Sequence, residues 1–290
     1  MIAFSPSDFS RLLPLLRTAP INVYFAEAVL RGQVRGFVWV DDPRDPRAFL
    51  IAHACGLSLL GGETDDPRFL AGLRDYLTNA GGFRTRPEFL QAFPAGWHAK
   101  LPALLGDVFL SAATLRARHV ADADLKSLIR ERVVEQGRCN FRFDRERFRA
   151  RRGLPLPAGF RISRLGADGF APWPDMAVPP AEFWNDAEDF ARRSVAFAVM
   201  HEAKPVCLAF AALVLEDVIE IGIETRAEFR GRGFAWHACA AFIGHALERG
   251  LEPVWACRSG NLGSRRTAES LGFVPTVETP YYGLVIRAGG

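Results

Sequence analysis

The 290-residue chain is 49% apolar and 24% charged, with a net charge of only +3. That balance describes a globular protein with ample core material, and argues against a disordered chain or a nucleic-acid or membrane-surface partner held by bulk charge. Five dispersed cysteines without a Cys-x-x-Cys pair give neither a disulfide framework nor a zinc-ligand spacing, and the longest apolar stretch, 206–215, is too short to span a bilayer. With Asp8 and Arg11 interrupting the first apolar run, the chain reads as soluble and cytoplasmic, with no metal, nucleic-acid or membrane partner.

In chain order, Ser7 or Asp8 is placed to cap a helix over 9–18, and a second helix is expected over 22–31. Strand-like runs follow at 33–40, 48–53 and 56–60, with Asp41, Asp42 and Pro43 forming the turn between the first two. Asp65 or Asp66 caps a helix reaching about residue 78. Glycine, proline and aromatic residues at 81–106 suggest short helices and loops. A helix is expected over 122–136 and a strand over 138–143. Seven arginines between 138 and 152 face only Asp144 and Glu146. They read as a solvated helix face, because no regular aromatic platform accompanies them as in a nucleic-acid arm. The proline-rich segment 153–159 is the expected domain boundary, separating 1–152 from 158–290.

Beyond it the pattern predicts a strand at 160–165, short helices at 181–183 and 187–193, and three successive strands at 194–201, 206–215 and 218–225. Hairpin-sized breaks separate the three. A helix over 234–248 stops at Gly250, and a strand at 253–257, a helix at 264–271 and a strand from 273 complete the chain. Five residues after Thr225 stand Arg230, Gly231, Arg232, Gly233, Phe234 and Ala235, at the start of the 234–248 helix. Glycines there permit close approach of backbone to an anion, the helix start offers unpaired N–H groups and a positive dipole end, and arginine adds charge-assisted bonds. The arrangement is that of a phosphate cradle. No Gly-Lys-Ser/Thr follows, so it is not a nucleotide P-loop, and the glycine spacing is not that of a dinucleotide-binding fold.

Arg230, Gly233 and Ala235 match the Arg/Gln-x-x-Gly-x-Gly/Ala loop of the GNAT superfamily of N-acyltransferases, which this chain resembles. Asn261 and Ser264, followed by Leu271, Gly272 and Phe273, match its second signature. A closer resemblance, to a bacterial subfamily with a GNAT-like N-terminal half, rests on Glu220, Gly222, Glu224 and Thr225, on Pro253 and Trp255, and on Val38, Asp41, Asp42, Pro43, Gly61 and Gly62. The resemblance implies a mixed α/β (α+β) protein: a GNAT fold in the C-terminal half and a degenerate GNAT-like sheet with helices in the N-terminal half.

It further implies an acetyltransferase taking acetyl-CoA as cosubstrate. The pantetheine would lie along Ile223 to Thr225, the pyrophosphate against Gly231 to Ala235, and Asn261 and Ser264 nearby. Glu220 and Glu224, four apart, share one face of their strand, and either is a candidate general base, Glu220 ahead. Where many members carry a tyrosine acid this chain has Ala268. Tyr281, Tyr282 and Ser264 are the replacements to weigh, and a coenzyme A-binding sensor without turnover is the alternative. A cysteine mechanism through Cys257 with His237 or His245 is the weaker reading. Phe183, Trp184 and Asp186 are candidates for meeting a small-molecule amine acceptor. Glu63, Asp65 and Asp66 at the corresponding helix start of the first half would repel a pyrophosphate. One coenzyme site per chain is therefore expected, with the first half serving packing, acceptor selection or homodimer formation.

Overall fold

The computed structural model describes residues 1–121, 124–151, 153 and 155–286. The first half contains strands β1 (Gly36–Val40), β2 (Ala48–His53), β3 (Leu57–Gly62), β4 (Phe89–Phe93) and β5 (Val133–Phe143), with helices α1 (Tyr24–Leu30), α2 (Pro67–Leu77) and α3 (Gly96–Leu105). The second contains β6 (Phe160–Leu165), α4 (Ala187–Arg193), β7 (Ala196–His201), β8 (Lys204–Leu215), β9 (Val218–Thr225), α5 (Phe234–Glu248), β10 (Glu252–Val254), β11 (Ala256–Arg258), α6 (Leu262–Ser270) and β12 (Phe273–Gly283). Two compact units result. One comprises Met1–Cys139, Arg258–Gly260 and Val277–Gly290; the other comprises Asn140–Cys257 and Asn261–Thr276. Strands β5 and β12 each pass from one unit into the other. The segment 153–159 lies within the second unit, and Arg152 and Leu154 lie outside the described residues.

In the first unit β1, β2 and β3 form an antiparallel meander, β4 runs parallel to β3, and the end of β12 pairs antiparallel with β4 through Tyr282 and Leu90. Asp66 caps α2 by accepting from Arg68 N–H at 2.9 Å, with Pro67 at the first helical position. Leu50, Leu60, Phe69, Leu73, Trp97 and Leu284 fill the core beneath. Two expectations are corrected here. Residues 81–106 are more regular than their composition suggested, forming β4 and α3. The helix expected over 122–136 is confined to Leu125–Leu128, its start at Asp122 being outside the described residues, and the chain is already in β5 at Val133. Val133 and Val134 pair in parallel with Phe109 and Leu110, so a non-local ladder and β-branched side chains override the helical spacing. The arginine-rich stretch does yield a short helix, Arg145–Ala150, capped by Asp144. Its ion pair from Arg145 to Glu252, at 3.8 Å, is exposed and contributes little.

The second unit's sheet has the order β10-β9-β8-β7-β6, antiparallel except for the parallel pair β9–β10. Helix α5 packs across β7, β8 and β9. Three features of this sheet position the site. The β9–β10 ladder pairs Val218, Ile219 and Glu220 with Glu252, Pro253 and Val254, and ends there. The next carbonyl, of Trp255, accepts from Phe141 N–H at 3.2 Å, so the chain turns from β9 to a different partner. A bulge at Ala212 lies opposite Glu220 and Ile221, and the indole N–H of buried Trp184 donates to the Ala211 carbonyl at 2.7 Å. Finally, Phe210 stands opposite Gly222, and a Cβ at Gly222 would lie 2.3 Å from its ring. Gly61 stands opposite Phe49 in the first unit with the same crowding, at 2.0 Å.

Gly222→Ala is therefore expected to lower unfolding free energy by about 1–3 kcal/mol, the usual cost of overpacking. Phe210→Leu should recover much of that loss in the double variant. Denaturant unfolding of the two single variants and the double one measures both. Simple additivity would remove the ring contact as the cause.

Candidate functional site

On β9 the side chains alternate without interruption, since the register shift belongs to β8. Ile219, Ile221 and Ile223 share the face that carries Thr225, whose hydroxyl donates to Cys207 Sγ at 3.1 Å. Cys207 in turn faces Cys239 of α5. Glu220, Gly222 and Glu224 are on the opposite face, where Phe210 covers Gly222 and Phe183 packs on Phe210 with ring centroids 5.8 Å apart. The two glutamates are not solvated there: Glu220 is 8% exposed, and the Glu224 side chain 10%.

Glu224 is held from two directions. Its Oε1 accepts from Arg230 at 3.1 Å, and its carboxylate also accepts from the backbone N–H of Val178. Burial nonetheless leaves its carboxyl above the ordinary glutamate value, with the Arg230 guanidinium and the two hydrogen bonds pulling the other way. Arg230 also donates through Nε to the Thr225 carbonyl at 3.0 Å. The first arginine of the loop thus folds back onto β9 and braces the strand-to-loop exit. Its guanidinium, expected as a phosphate ligand, is thus engaged with Glu224 and Thr225 while remaining largely exposed. Arg232 takes the outward position: its guanidinium lies over the rings of Phe160, Phe229 and Phe234 at 5.4, 5.5 and 5.2 Å.

Between and after these arginines the backbone is left-handed at Gly231 (φ +73°) and Gly233 (φ +80°), and a Cβ at either would meet nothing within 4 Å. Gly233 is the N-cap of α5, so no side chain caps this helix. A 15-residue helix therefore begins beside two glycines with open space around them, one loop after a strand edge that has lost its parallel partner. His237, Ala238, Cys239, Phe242 and Ala246 form its buried side.

Asn261 caps α6 by accepting from Ser264 N–H at 3.1 Å, and the Ser264 hydroxyl accepts from the Trp255 indole at 3.1 Å. Ala268 is fully buried. Cys207 and Cys239 are pushed up by burial, the former to about 12, and burial holds His237 and His245 below the ordinary histidine value. Cys257 is 7% exposed. Trp184, through the Ala211 carbonyl, and Asp186, as the N-cap of α4, have structural duties. Of that trio, Phe183 packs on Phe210, on the glutamate face. Tyr281 and Tyr282 belong to the first unit. Tyr281 is stacked on Phe89 at 5.1 Å with the Arg138 guanidinium 5.1 Å from its ring, and Tyr282 OH is 2.8 Å from His98 Nδ1.

The corresponding helix start of the first unit is occupied by its own side chains. Asp66 caps α2, Lys100 pairs with Asp65 at 2.7 Å, and a Cβ at Gly62 would lie 1.8 Å from the Arg47 carbonyl. Among the described residues there is no cluster of His, Cys, Asp and Glu able to hold a metal, and no helix long and apolar enough to cross a membrane.

Residues 125–282 match the GNAT acetyltransferase family model. The chain is 26% identical over 262 residues to an uncharacterised N-acetyltransferase of Bacillus subtilis, YdfB, covering 89% of each. A GCN5-related N-acetyltransferase-like protein from Streptococcus suis superposes with TM-score 0.66 at 20% identity, over 96% of this chain and 98% of that one. A tandem GNAT protein from the clavulanic acid biosynthesis pathway superposes with TM-score 0.59 at 13% identity, over 100% and 99%. These likenesses establish the GNAT fold.

Because the folded Glu224 carboxyl lies above its unfolded value, its contribution to stability is complete below the ordinary glutamate value and is lost as pH rises through the raised one. Glu224→Gln does not ionise. Its stability relative to the parent chain should therefore increase from about pH 4 to about pH 7. Urea unfolding across that range tests the sign, and a relative stability that falls with pH would reverse it.

Proposed function

We propose, on the premise that the chain belongs to the GNAT acetyltransferase family, that it moves an acetyl group from acetyl-CoA directly to the amine of a small molecule. The observation that carries this reading is the start of α5. Two left-handed glycines open onto free space, no side chain caps the helix, and Arg232 is held over a three-ring platform beside them. Backbone N–H groups of Gly231, Arg232, Gly233, Phe234 and Ala235 would hold the pyrophosphate, with the helix dipole favouring its charge. The open edge of β9 at Ile223 and Thr225 would take the pantetheine as an added strand. Asn261 and Ser264 would fix the turn leading into α6, their side-chain acceptors being engaged in its cap and in the Trp255 bond.

Acetyl-CoA, when bound, supplies the acetyl group as a thioester. The chain supplies a base. Glu220 stands opposite the Ala212 bulge where β9 and β10 part, on the apolar face shared with Phe210 and Phe183. It takes the proton from the acceptor ammonium so that the free amine can attack. Glu224, tied to Arg230 and Val178, orients the loop. Phe183 and Phe210 favour an acceptor with an apolar part next to its amine. No step is assigned to Tyr281, whose ring is stacked inside the first unit.

Two measurements test this. Gly233→Asp places a carboxylate in the cradle at a position whose positive φ aspartate tolerates better than most residues. Affinity for coenzyme A by calorimetry should fall at least about tenfold, as expected for a like charge at a phosphate site, with the melting temperature retained. Unchanged affinity would put the coenzyme elsewhere. Glu220→Gln should lower kcat by about 10²-fold or more with little change in KM. The deficit should narrow at high pH, where the amine is already free. A deficit equal at every pH argues against a base.

A further inference from the structure

Strand β5 lies between β12 and β11, and two backbone bonds fix its register with the latter. The Ser259 N–H donates to the Gly137 carbonyl at 2.8 Å, and the Phe141 N–H to the Trp255 carbonyl at 3.2 Å. The numbering falls on one strand as it rises on the other, so the pairing is antiparallel and Arg138 stands directly opposite Arg258. Side chains so placed share a sheet face with Cβ atoms about 5 Å apart, and like charges there oppose the pairing. Gln136, two residues before Arg138, is on the same face, and its Oε1 accepts from Arg258 Nη1 at 2.9 Å. All three residues belong to the first unit.

Arg138 reads from sequence as part of a solvated arginine-rich face, yet it is only 7% exposed. Its Nε is buried without a hydrogen-bond partner, and among the described residues none forms a hydrogen bond or ion pair with its guanidinium. The contact it does make is with the Tyr281 ring, whose centroid is 5.1 Å from the guanidinium carbon. Arg84 shows how the same unit settles a guanidinium kept for structure. It pairs with Glu88 at 2.9 Å and donates to the carbonyls of Val285 and Tyr76, both at 3.0 Å. A buried charge left without such partners is costly.

The neighbouring strand carboxylates are turned away. Glu135 is on the other face of β5, and its Oε2 accepts from the Ala112 N–H at 2.9 Å. Glu278 of β12 accepts from Cys139 Sγ at 3.3 Å, on that same other face. Thr279 follows Glu278 and so projects to the Arg138 side. Its hydroxyl oxygen is buried and, among the described residues, has no partner. One sheet face thus holds two opposed arginines, an unpaired buried guanidinium edge and an unpaired buried hydroxyl. Such a face calls for an anion. The Tyr281 ring lies against the Arg138 guanidinium, so what remains to be met is the edge that carries Nε. A carboxylate pairs with that edge in plane, through two parallel N–H···O bonds. Its single charge matches the one guanidinium without a partner, and the Thr279 hydroxyl can donate to a remaining lone pair. A tetrahedral phosphate carries more charge and needs donors out of that plane, where the ring offers none.

We infer that this face of the first unit binds a small carboxylate, held edge-on by Arg138, with the Thr279 hydroxyl as a second donor and Arg258 opposite. The inference is independent of the acetyl-transfer reading. Titration of the full chain with acetate, neutral acetamide and inorganic phosphate tests it, followed by the nuclear magnetic resonance signal of the Arg138 Nε–H. That signal is assigned by its loss in Arg138→Lys. Acetate should shift it saturably, acetamide should leave it in place, and phosphate should act with weaker affinity. Thr279→Val should weaken acetate about two- to fivefold, as expected for one hydrogen bond. Compared with chloride at equal ionic strength, acetate should raise the melting temperature of the parent chain more than that of Arg138→Lys, which keeps the charge but loses the fork. No saturable shift, an equal response to acetamide, phosphate bound as tightly as acetate, acetate affinity unchanged in Thr279→Val, or an equal gain from acetate in Arg138→Lys would overturn the assignment.

Discussion

The parallel ladder between β9 and β10 stops at Glu220, and the working parts of the second unit follow from that stop. While the ladder lasts, β9 is an interior strand with both edges satisfied. Once β10 ends and Trp255 engages Phe141, residues 221–225 keep only β8. An unpaired edge within a folded domain calls for management. Here its last residues are restrained by Arg230, which ties the Thr225 carbonyl and the Glu224 carboxylate together. That brace precedes the two left-handed glycines and α5. The open strand edge thus begins where a neighbouring strand departs, at the buried Glu220 carboxylate and upstream of the uncapped helix start.

Much of this was legible in the residues. The meander, the loop and α5 with its stop at Gly250 (φ +73°) all announce themselves through local chemistry, alternation and glycine, whereas the α6 cap at Asn261 reads from sequence only as a coenzyme contact. The like-facing of Glu220 and Glu224 needed only parity, which survives because the bulge is on the other strand. What sequence could not supply was the direction of long side chains and the identity of distant partners. Arg230 and Arg232 are two residues apart and chemically identical. One finds a carboxylate and a carbonyl, the other three rings, and nothing local distinguishes them. The burial of Glu220 depends on Phe210 and Phe183, and the duty of Trp184 on a carbonyl released by the bulge. Strand β5 was misread at its start because Leu125, Leu128, Ile129 and Val133 keep a helical spacing, whereas the pairing with Phe109 and Leu110 that decides the matter lies more than twenty residues earlier.

The two helix starts differ in backbone and in side chain, extended at Asp66 and left-handed at Gly233. In the first unit a side chain fills the position: Asp66 satisfies the α2 N–H groups, and Lys100 settles the neighbouring charge. In the second, Gly233 contributes no side chain at all, so the donors of α5 stay available. Capping and ligand binding compete for the same few N–H groups. The N-cap thus separates a helix start closed by its own side chain from one that no side chain caps.

Each sheet also sets a glycine directly across from a phenylalanine whose ring lies on top of it: Phe49 over Gly61, and Phe210 over Gly222. The ring occupies the volume of two side chains, so the pair behaves as a single unit of packing spread over two strands. Neither position is free to drift alone. Across sequences that keep this architecture, enlargement at the glycine must coincide with reduction at its partner. The pairs 49/61 and 210/222 should therefore stand out as matched signals of covariation, one in each half of the chain.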